Sequence, residues 1–307
     1  MPDEEARRHT DDGDFRSGFV AVVGRPNVGK STLVNALVGD KVAITSRVPQ
    51  TTRTAVRGII DGDGVQAVLV DTPGYHKPRT LLGERLNEVV RATWADVDLA
   101  LLVVDGAAGI GLGDERVAHD LRTVRCPVFC IVNKIDRLSP ARIAASLDAA
   151  AGLGEFDEYV PVSARTEDGI GIVRDLLLKA LPQGPMYYPP GTRRDQPPPL
   201  FVAELVREKL LALMRDEVPH SVAVVTEDFE ERADCLLEIR ATVFIERESQ
   251  KGIVIGKGGS ALKDAGTRAR EEIETLFGRH VFLDLRVKVE RDWQRRAHAL
   301  ERLGFGV

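Results

Sequence analysis

Cysteine is scarce in this 307-residue chain, and no apolar run is long enough to cross a bilayer. The three cysteines are Cys126, Cys130 and Cys235, an odd number that cannot close into pairs. The first two sit in or beside an apolar, strand-like run. A reduced, cytoplasmic protein with buried thiols is the expectation. Cys126 and Cys130 stand four residues apart with no further His or Cys partner nearby, which argues against a zinc site. A basic excess is also lacking, since the net charge is -5. That excludes a uniformly basic surface, so any nucleic-acid site must be local. Aromatics are few, and no internal repeat is visible. Residues 1–16 are polar and acid-rich, without the apolar region of a signal peptide. They read as a disordered extension.

What is present begins with an apolar strand, Phe19 to Val23, followed by Gly24-Arg25-Pro26-Asn27-Val28-Gly29-Lys30-Ser31-Thr32. This is a P-loop in its strand-loop-helix setting. Glycines let successive backbone N–H groups point at one phosphate chain, and the new helix adds its positive end. Lys30 would reach the β- and γ-phosphates, and the Ser31 hydroxyl would ligate Mg²⁺. Strands and helices then alternate as far as Leu181. That pattern predicts an α/β domain with a mainly parallel sheet and its ligand beyond the carboxyl ends of the strands.

Two further motifs follow strands in order. Asp71-Thr72-Pro73-Gly74 places a carboxylate that can hold Mg²⁺ through water, and a glycine N–H that can approach a γ-phosphate. Asn133-Lys134-Ile135-Asp136 discriminates between bases. A carboxylate at Asp136 can accept two N–H bonds from guanine, whereas adenine offers no such donor pair. Asn133 would brace neighbouring loops, and the Lys134 stem would cover the base. Ser163-Ala164 would supply a backbone N–H to the guanine carbonyl. These elements in this order resemble the translation-factor-related GTPases. Thr45 to Arg53 falls where such proteins carry switch I. Thr52 is favoured as the threonine that ligates Mg²⁺ and senses the γ-phosphate, with Thr51 as its rival. Lys30, Thr52 and Gly74 form the catalytic set. Tyr75 stands where small signalling GTPases place a water-orienting glutamine, so slow intrinsic hydrolysis is expected. Asn27 resembles the asparagine with which some of these GTPases hold K⁺.

The alternation breaks at Pro182. Residues 183–199 are rich in proline and read as a stiff spacer between a GTPase domain, 17–182, and a second domain, 200–307. The second domain reads as α+β. Its loop Ile255-Gly256-Lys257-Gly258-Gly259 lies between two helices, as in the nucleic-acid clamp of KH domains. Lys251, Lys257 and Lys263 belong to a local basic patch around it.

A P-loop GTPase, a proline-rich linker and a C-terminal KH domain together resemble the Era family of bacterial GTPases. The specific stretches are Gly24 to Ser31, Pro49-Gln50-Thr51-Thr52-Arg53, Asp71 to Gly74 with His76 close behind, Asn133 to Asp136, and Val254 to Gly259. The resemblance implies a KH domain of the second topological type and GTP or GDP as ligand with Mg²⁺. It further implies binding near the 3′ end of small-subunit ribosomal RNA, a role in 30S subunit assembly, and a monomer in the cytoplasm with some peripheral membrane contact. A competing expectation is a membrane-associated or cell-cycle regulator whose KH fold binds protein.

Overall fold

The computed structural model describes residues 15–48, 51–74, 78, 80–214, 218–232 and 236–305. The chain divides into two compact units. One comprises Met1–Ala43, Ala55–His76 and Val89–Asp195, the other Ile44–Thr54, Lys77–Glu88 and Gln196–Val307.

The first unit runs β1 (Arg16–Val23), α1 (Lys30–Val38), β2 (Val56–Gly62), β3 (Val65–Asp71), α2 (Leu81–Ala95), β4 (Leu99–Asp105), α3 (Leu112–Leu121), β5 (Val128–Asn133), α4 (Pro140–Ala151), β6 (Glu158–Pro161) and α5 (Ile170–Ala180). The first turns of α2 belong to the second unit. The strands form one sheet in the order β2-β3-β1-β4-β5-β6. Only β2 runs antiparallel to its neighbour. Every residue of β4 is buried, as a continuous apolar strand requires when both faces are covered. One face packs on Leu33 and Leu37 of α1 and Val173 and Leu177 of α5. The other packs on Val90 and Trp94 of α2, Val117 and Leu121 of α3, and Ala150 of α4. Strand ends then deliver the functional side chains. Asp71, Asp105 and Asn133 close β3, β4 and β5, and Ser163 follows β6.

Sheet structure begins at Arg16, whose N–H donates to Gly64 O, so this residue is no part of a tail. The helix α3 had no sequence signal, because Gly106, Gly109, Gly111 and Gly113 obscure its start. It is nucleated by Asp114, whose carboxylate accepts the Gly111 N–H at 3.0 Å. The supposed spacer is a strap along the first unit as far as Asp195. Ile59 donates to Arg193 O at 2.9 Å, and the Tyr187 ring lies 4.8 Å from that of Phe19. The Gln66 side chain, 1% exposed, accepts the Tyr187 and Tyr188 N–H groups at 2.9 Å each. The strap covers the edge of β2, whose backbone groups would otherwise stand open. Pro198 and Pro199 do not close the linker. They open the next helix, where a missing N–H costs nothing.

That helix is α6 (Pro198–Leu213), and it begins the main run of the second unit. There follow α7 (Val218–Ser221), β7 (Ala223–Glu231), β8 (Leu237–Ile245), α8 (Glu248–Ile255), α9 (Ser260–Phe277), β9 (Val281–Val289) and α10 (Ala297–Arg302). The sheet order is β7-β8-β9, with β8 antiparallel to β7 and parallel to β9. Alternate residues of β8 face opposite sides. Ile239, Ala241 and Val243 join the core with α6 and α9. Phe244 points the other way, into a cluster with Leu82, Leu86, Trp293 and Leu300.

Candidate functional site

The P-loop is shaped by close approach. Gly29 has φ 101°, and a Cβ there would stand 2.3 Å from Asn133 Nδ2. Only glycine fits. Asn27 also takes a left-handed conformation, at φ 64°. Lys30 Nζ donates to Gly24 O at 3.1 Å and Arg25 O at 3.2 Å. The Arg25 side chain points away from the phosphate path. Its Nε reaches Asp114 at 3.1 Å, and it donates to Gly109 O. This bracing of the loop on α3 was missed in the sequence. Burial lowers the Lys30 pKa to about 8, against the opposing pull of Asp71.

Ser31 Oγ donates to Asp71 Oδ2 at 2.6 Å. Asp71 and Thr72 are fully buried, and the Thr72 hydroxyl donates to Val22 O. Ser31 and Asp71 therefore present adjacent hard oxygens, a donor set that fits Mg²⁺. Gly74 is buried, with a Cβ position 2.9 Å from Pro26. Tyr75 and His76, with Pro49 and Gln50, lie outside the described residues.

Opposite the P-loop stands the base-reading group. Asn133 Nδ2 donates to Val28 O at 2.9 Å, while its Oδ1 accepts the Lys134 and Ala164 N–H groups. One amide thus ties three segments together. The Ala164 N–H points at Asn133 Oδ1, 3.0 Å away, and the Ser163 N–H at Asp168 O. Lys134 Nζ reaches Asp105 Oδ2 at 2.6 Å, drawing its stem across the loop. Asp105 had a usable signal, because it ends an apolar strand as Asp71 and Asn133 do. Asp136 accepts Ser163 Oγ at 2.8 Å on Oδ1 and Arg165 Nη2 at 2.6 Å on Oδ2.

The switch segments belong to the second unit. Residues 44–54 are held by α6 and the residues after it. Thr45 N–H donates to Glu208 Oε1 at 2.7 Å, and Arg207, 1% exposed, donates to Thr51 O. Arg53 is buried. It donates to Val222 O at 2.6 Å and His220 O at 2.8 Å. Its guanidinium lies 5.5 Å from the Trp293 ring and 6.0 Å from that of Phe305, a cation–π arrangement. Burial and then Arg207 lower its pKa to about 9, with Glu204 and Glu246 opposing, so it stays charged at neutral pH. Thr52 is 8% exposed. At the start of α2, Arg85 donates to Phe305 O at 2.9 Å.

The loop between α8 and α9 takes positive φ at Gly256, Gly258 and Gly259, of 75°, 61° and 82°. Lys257 is exposed at its tip, and Ile253 beside it is 54% exposed. Lys251, Lys257, Lys263, Arg268 and Arg270 lie on the loop or on the helices that flank it. Three of them are paired: Lys251 with Glu248, Arg268 with Asp264 and Arg270 with Glu274. Among the described residues, Lys257 and Lys263 carry no ion pair. A groove of about 340 Å³ adjoins the loop, lined by Leu262, Lys263, Arg270, Leu283 and Leu285 among others.

Comparison with known proteins agrees with both halves. The family described as "50S ribosome-binding GTPase" matches residues 19–134, and the KH domain family matches residues 217–294. Together the P-loop sheet and the α-β-β-α-α-β unit define a GTPase joined to a type II KH domain, and the chain is a GTP-hydrolysing enzyme. GTPase Era of Mycobacterium avium is 52% identical over 297 residues, covering 95% of this chain and 99% of the relative. GTPase Era of Mycobacterium tuberculosis (strain H37Rv) is 51% identical over 298 residues, with the same coverage. The chain belongs to the Era family of GTPases. A crystal structure of Era with MgGDPNP and nucleotides 1506-1542 of 16S ribosomal RNA is 36% identical and has a TM-score of 0.92. It is matched over 95% of this chain and 100% of that one. A variant of Aquifex aeolicus Era bound to GDP and AlF4⁻ matches equally well, at 36% identity and TM-score 0.92.

Proposed function

We propose that the protein is a GTP-dependent switch that binds small-subunit ribosomal RNA near its 3′ end and acts in 30S subunit assembly. The observation that carries this is the backbone of the Gly256–Gly259 loop, open at its tip, with Lys257 on it and Lys263 in the first turn of α9, neither in an ion pair among the described residues. The Era–RNA complex, similar over 95% of the chain, supports the choice of RNA. Single-stranded nucleic acid would lie along the loop, with phosphates on Lys257 and Lys263 and unstacked bases against Ile253, Ile255 and the groove.

In the hydrolysis step water attacks the γ-phosphorus. The bond to the bridging oxygen breaks, GDP leaves with the electron pair, and the water protons pass to phosphate and solvent. Lys30 and the P-loop N–H groups, from Gly24 to Thr32, stabilise the charge that develops on the phosphoryl oxygens. When bound, Mg²⁺ would be held by Ser31, Thr52 and, through water, Asp71, and would supply a second positive charge there. Gly74 meets the γ-phosphate by its N–H, with Thr72 and Pro73 fixing its approach. Asp136 reads guanine, with the Lys134 stem on the base and Asn133, Ser163 and Ala164 shaping its pocket. Without a glutamine at Tyr75, intrinsic hydrolysis is slow.

Switch state reaches the RNA-binding unit through residues 44–54 rather than through the linker. That reading rests on the contacts of Thr51 with Arg207 and of Arg53 with Val222, His220 and Trp293. A cytoplasmic location fits the free thiols of Cys126 and Cys130. No helix among the described residues is long and apolar enough to cross a membrane, so membrane contact would be peripheral.

Gly258→Asp tests the RNA site. A Cβ there meets nothing within 4 Å, so the change adds a charge and backbone strain without a packing clash. Affinity for an RNA of nucleotides 1506-1542 should fall by about 10-fold or more while single-turnover GTP hydrolysis is unchanged. Undiminished binding would remove the loop from the RNA site and favour a KH fold that binds protein.

Asn27 is proposed as a K⁺ ligand near the phosphates, on its placement in the P-loop at φ 64°. Hydrolysis should then be several-fold faster in K⁺ than in Na⁺ at equal ionic strength, and the difference should vanish in Asn27→Ala. Equal wild-type rates in the two salts would dismiss the K⁺ site.

A further inference from the structure

We infer that Arg165 is a specificity-determining residue of the base pocket, a latch whose guanidinium competes with guanine for the Asp136 carboxylate. This rests on the reading of Asp136 as the base-reading group. Both carboxylate oxygens already accept a donor from the protein. Ser163 Oγ stands 2.8 Å from Oδ1, and Arg165 Nη2 stands 2.6 Å from Oδ2. The Asp136 side chain is only 9% exposed, so few directions of approach to its oxygens remain.

The two donors differ in how they can respond. Ser163 is fully buried, and the Thr166 N–H holds its hydroxyl oxygen at 3.2 Å. It stays. The Arg165 side chain is 69% exposed and can swing into water. Among the described residues Arg165 is the one cation paired with Asp136, because Lys134 reaches instead to Asp105. Exposed pairs of this kind are weak, so the latch is a modest and displaceable competitor.

Its effect depends on the base. Guanine presents N1–H and the exocyclic N2–H together, one for each carboxylate oxygen; the Ser163 hydroxyl shares Oδ1 through its second lone pair, while the Arg165 guanidinium competes with the base for Oδ2. Hypoxanthine presents N1–H alone, and Arg165 can keep its oxygen. The latch therefore slows guanine entry and narrows the preference for guanine over hypoxanthine.

Stopped-flow binding of N-methylanthraniloyl GDP and IDP to wild type, Arg165→Ala and Arg165→Lys tests this. The alanine variant should associate with GDP about 2- to 5-fold faster, with dissociation nearly unchanged. Its GDP-over-IDP affinity ratio should rise by a similar factor. Wild-type association should approach the variant's as NaCl rises from about 0.1 M to 1 M, because screening weakens an exposed pair. The alanine variant should show no such rise, and Arg165→Lys should behave like wild type. An unchanged association rate would overturn the latch, and faster dissociation would make Arg165 a clamp on the base instead. Failure of the underlying reading looks different: wild type itself would bind ADP as well as GDP.

Discussion

Asp136→Asn is expected to reverse the base preference, costing GDP roughly 10⁴-fold in affinity and favouring xanthosine diphosphate. The reason lies in the donor pattern. A carboxylate accepts two N–H bonds side by side. An amide offers one oxygen and one NH₂, so it opposes guanine's N2–H with another donor. Xanthine carries a carbonyl in place of the exocyclic amine and matches the amide at both positions. The penalty is large because the amide sets an unmatched donor against guanine's N2–H where the carboxylate accepts it. Calorimetric titration with GDP and XDP reads both arms. Undiminished GDP binding by this variant would mean that Asp136 does not read the base.

Lys30→Ala should lower the single-turnover rate of GTP hydrolysis by about 10³-fold. Lys30 is 6% exposed, and its ammonium donates to the carbonyls of Gly24 and Arg25 in the nearby field of Asp71. Burial holds its pKa near 8, below the ordinary 10.5. Between these values the unfolded chain binds more protons at this position than the folded one. The Lys30 contribution to folding stability therefore rises with pH across that window. Phosphate reverses the balance, because a bound anion favours the charged lysine. Nucleotide affinity should then fall as pH rises through about 8, and the fall should be missing in Lys30→Ala. GDP titrations across that range measure it. A pH-independent wild-type affinity would mean that the ammonium does not meet the phosphates.

The elements that could be read along the chain were those with local signals. Gly24 to Ser31 announces a P-loop because its strand, glycines and helix are contiguous. Asp71, Asn133 and Asp136 follow apolar runs that can only be buried strands. The Gly256–Gly259 loop is framed by two helical patterns. What escaped was long-range. Arg207 and Glu208 look like ordinary charges on an amphipathic helix, yet both hold backbone groups of residues 45–51. No periodicity encodes a bond to a segment more than 150 residues away. Gln66 in β3 carries no sign that it clasps Tyr187 and Tyr188, so the proline-rich stretch looked like a free spacer. Arg165 sits in a polar loop whose sequence is common. Its meaning appears only when the fold brings it to Asp136.

The stack of Arg53 on Trp293 and Phe305 has an optical consequence. The chain has two tryptophans, and the fold gives one to each core. Trp94 packs with Val90 in the first unit, while Trp293 lies in the second, its ring 5.5 Å from that of Phe305. An indole emits according to the charges and dipoles around it, so Trp293 reports on the arginine one residue from the candidate γ-phosphate sensor Thr52. The protein thus carries two native fluorophores that separate its units spectrally once either is replaced by phenylalanine. One of them watches switch I without any added label.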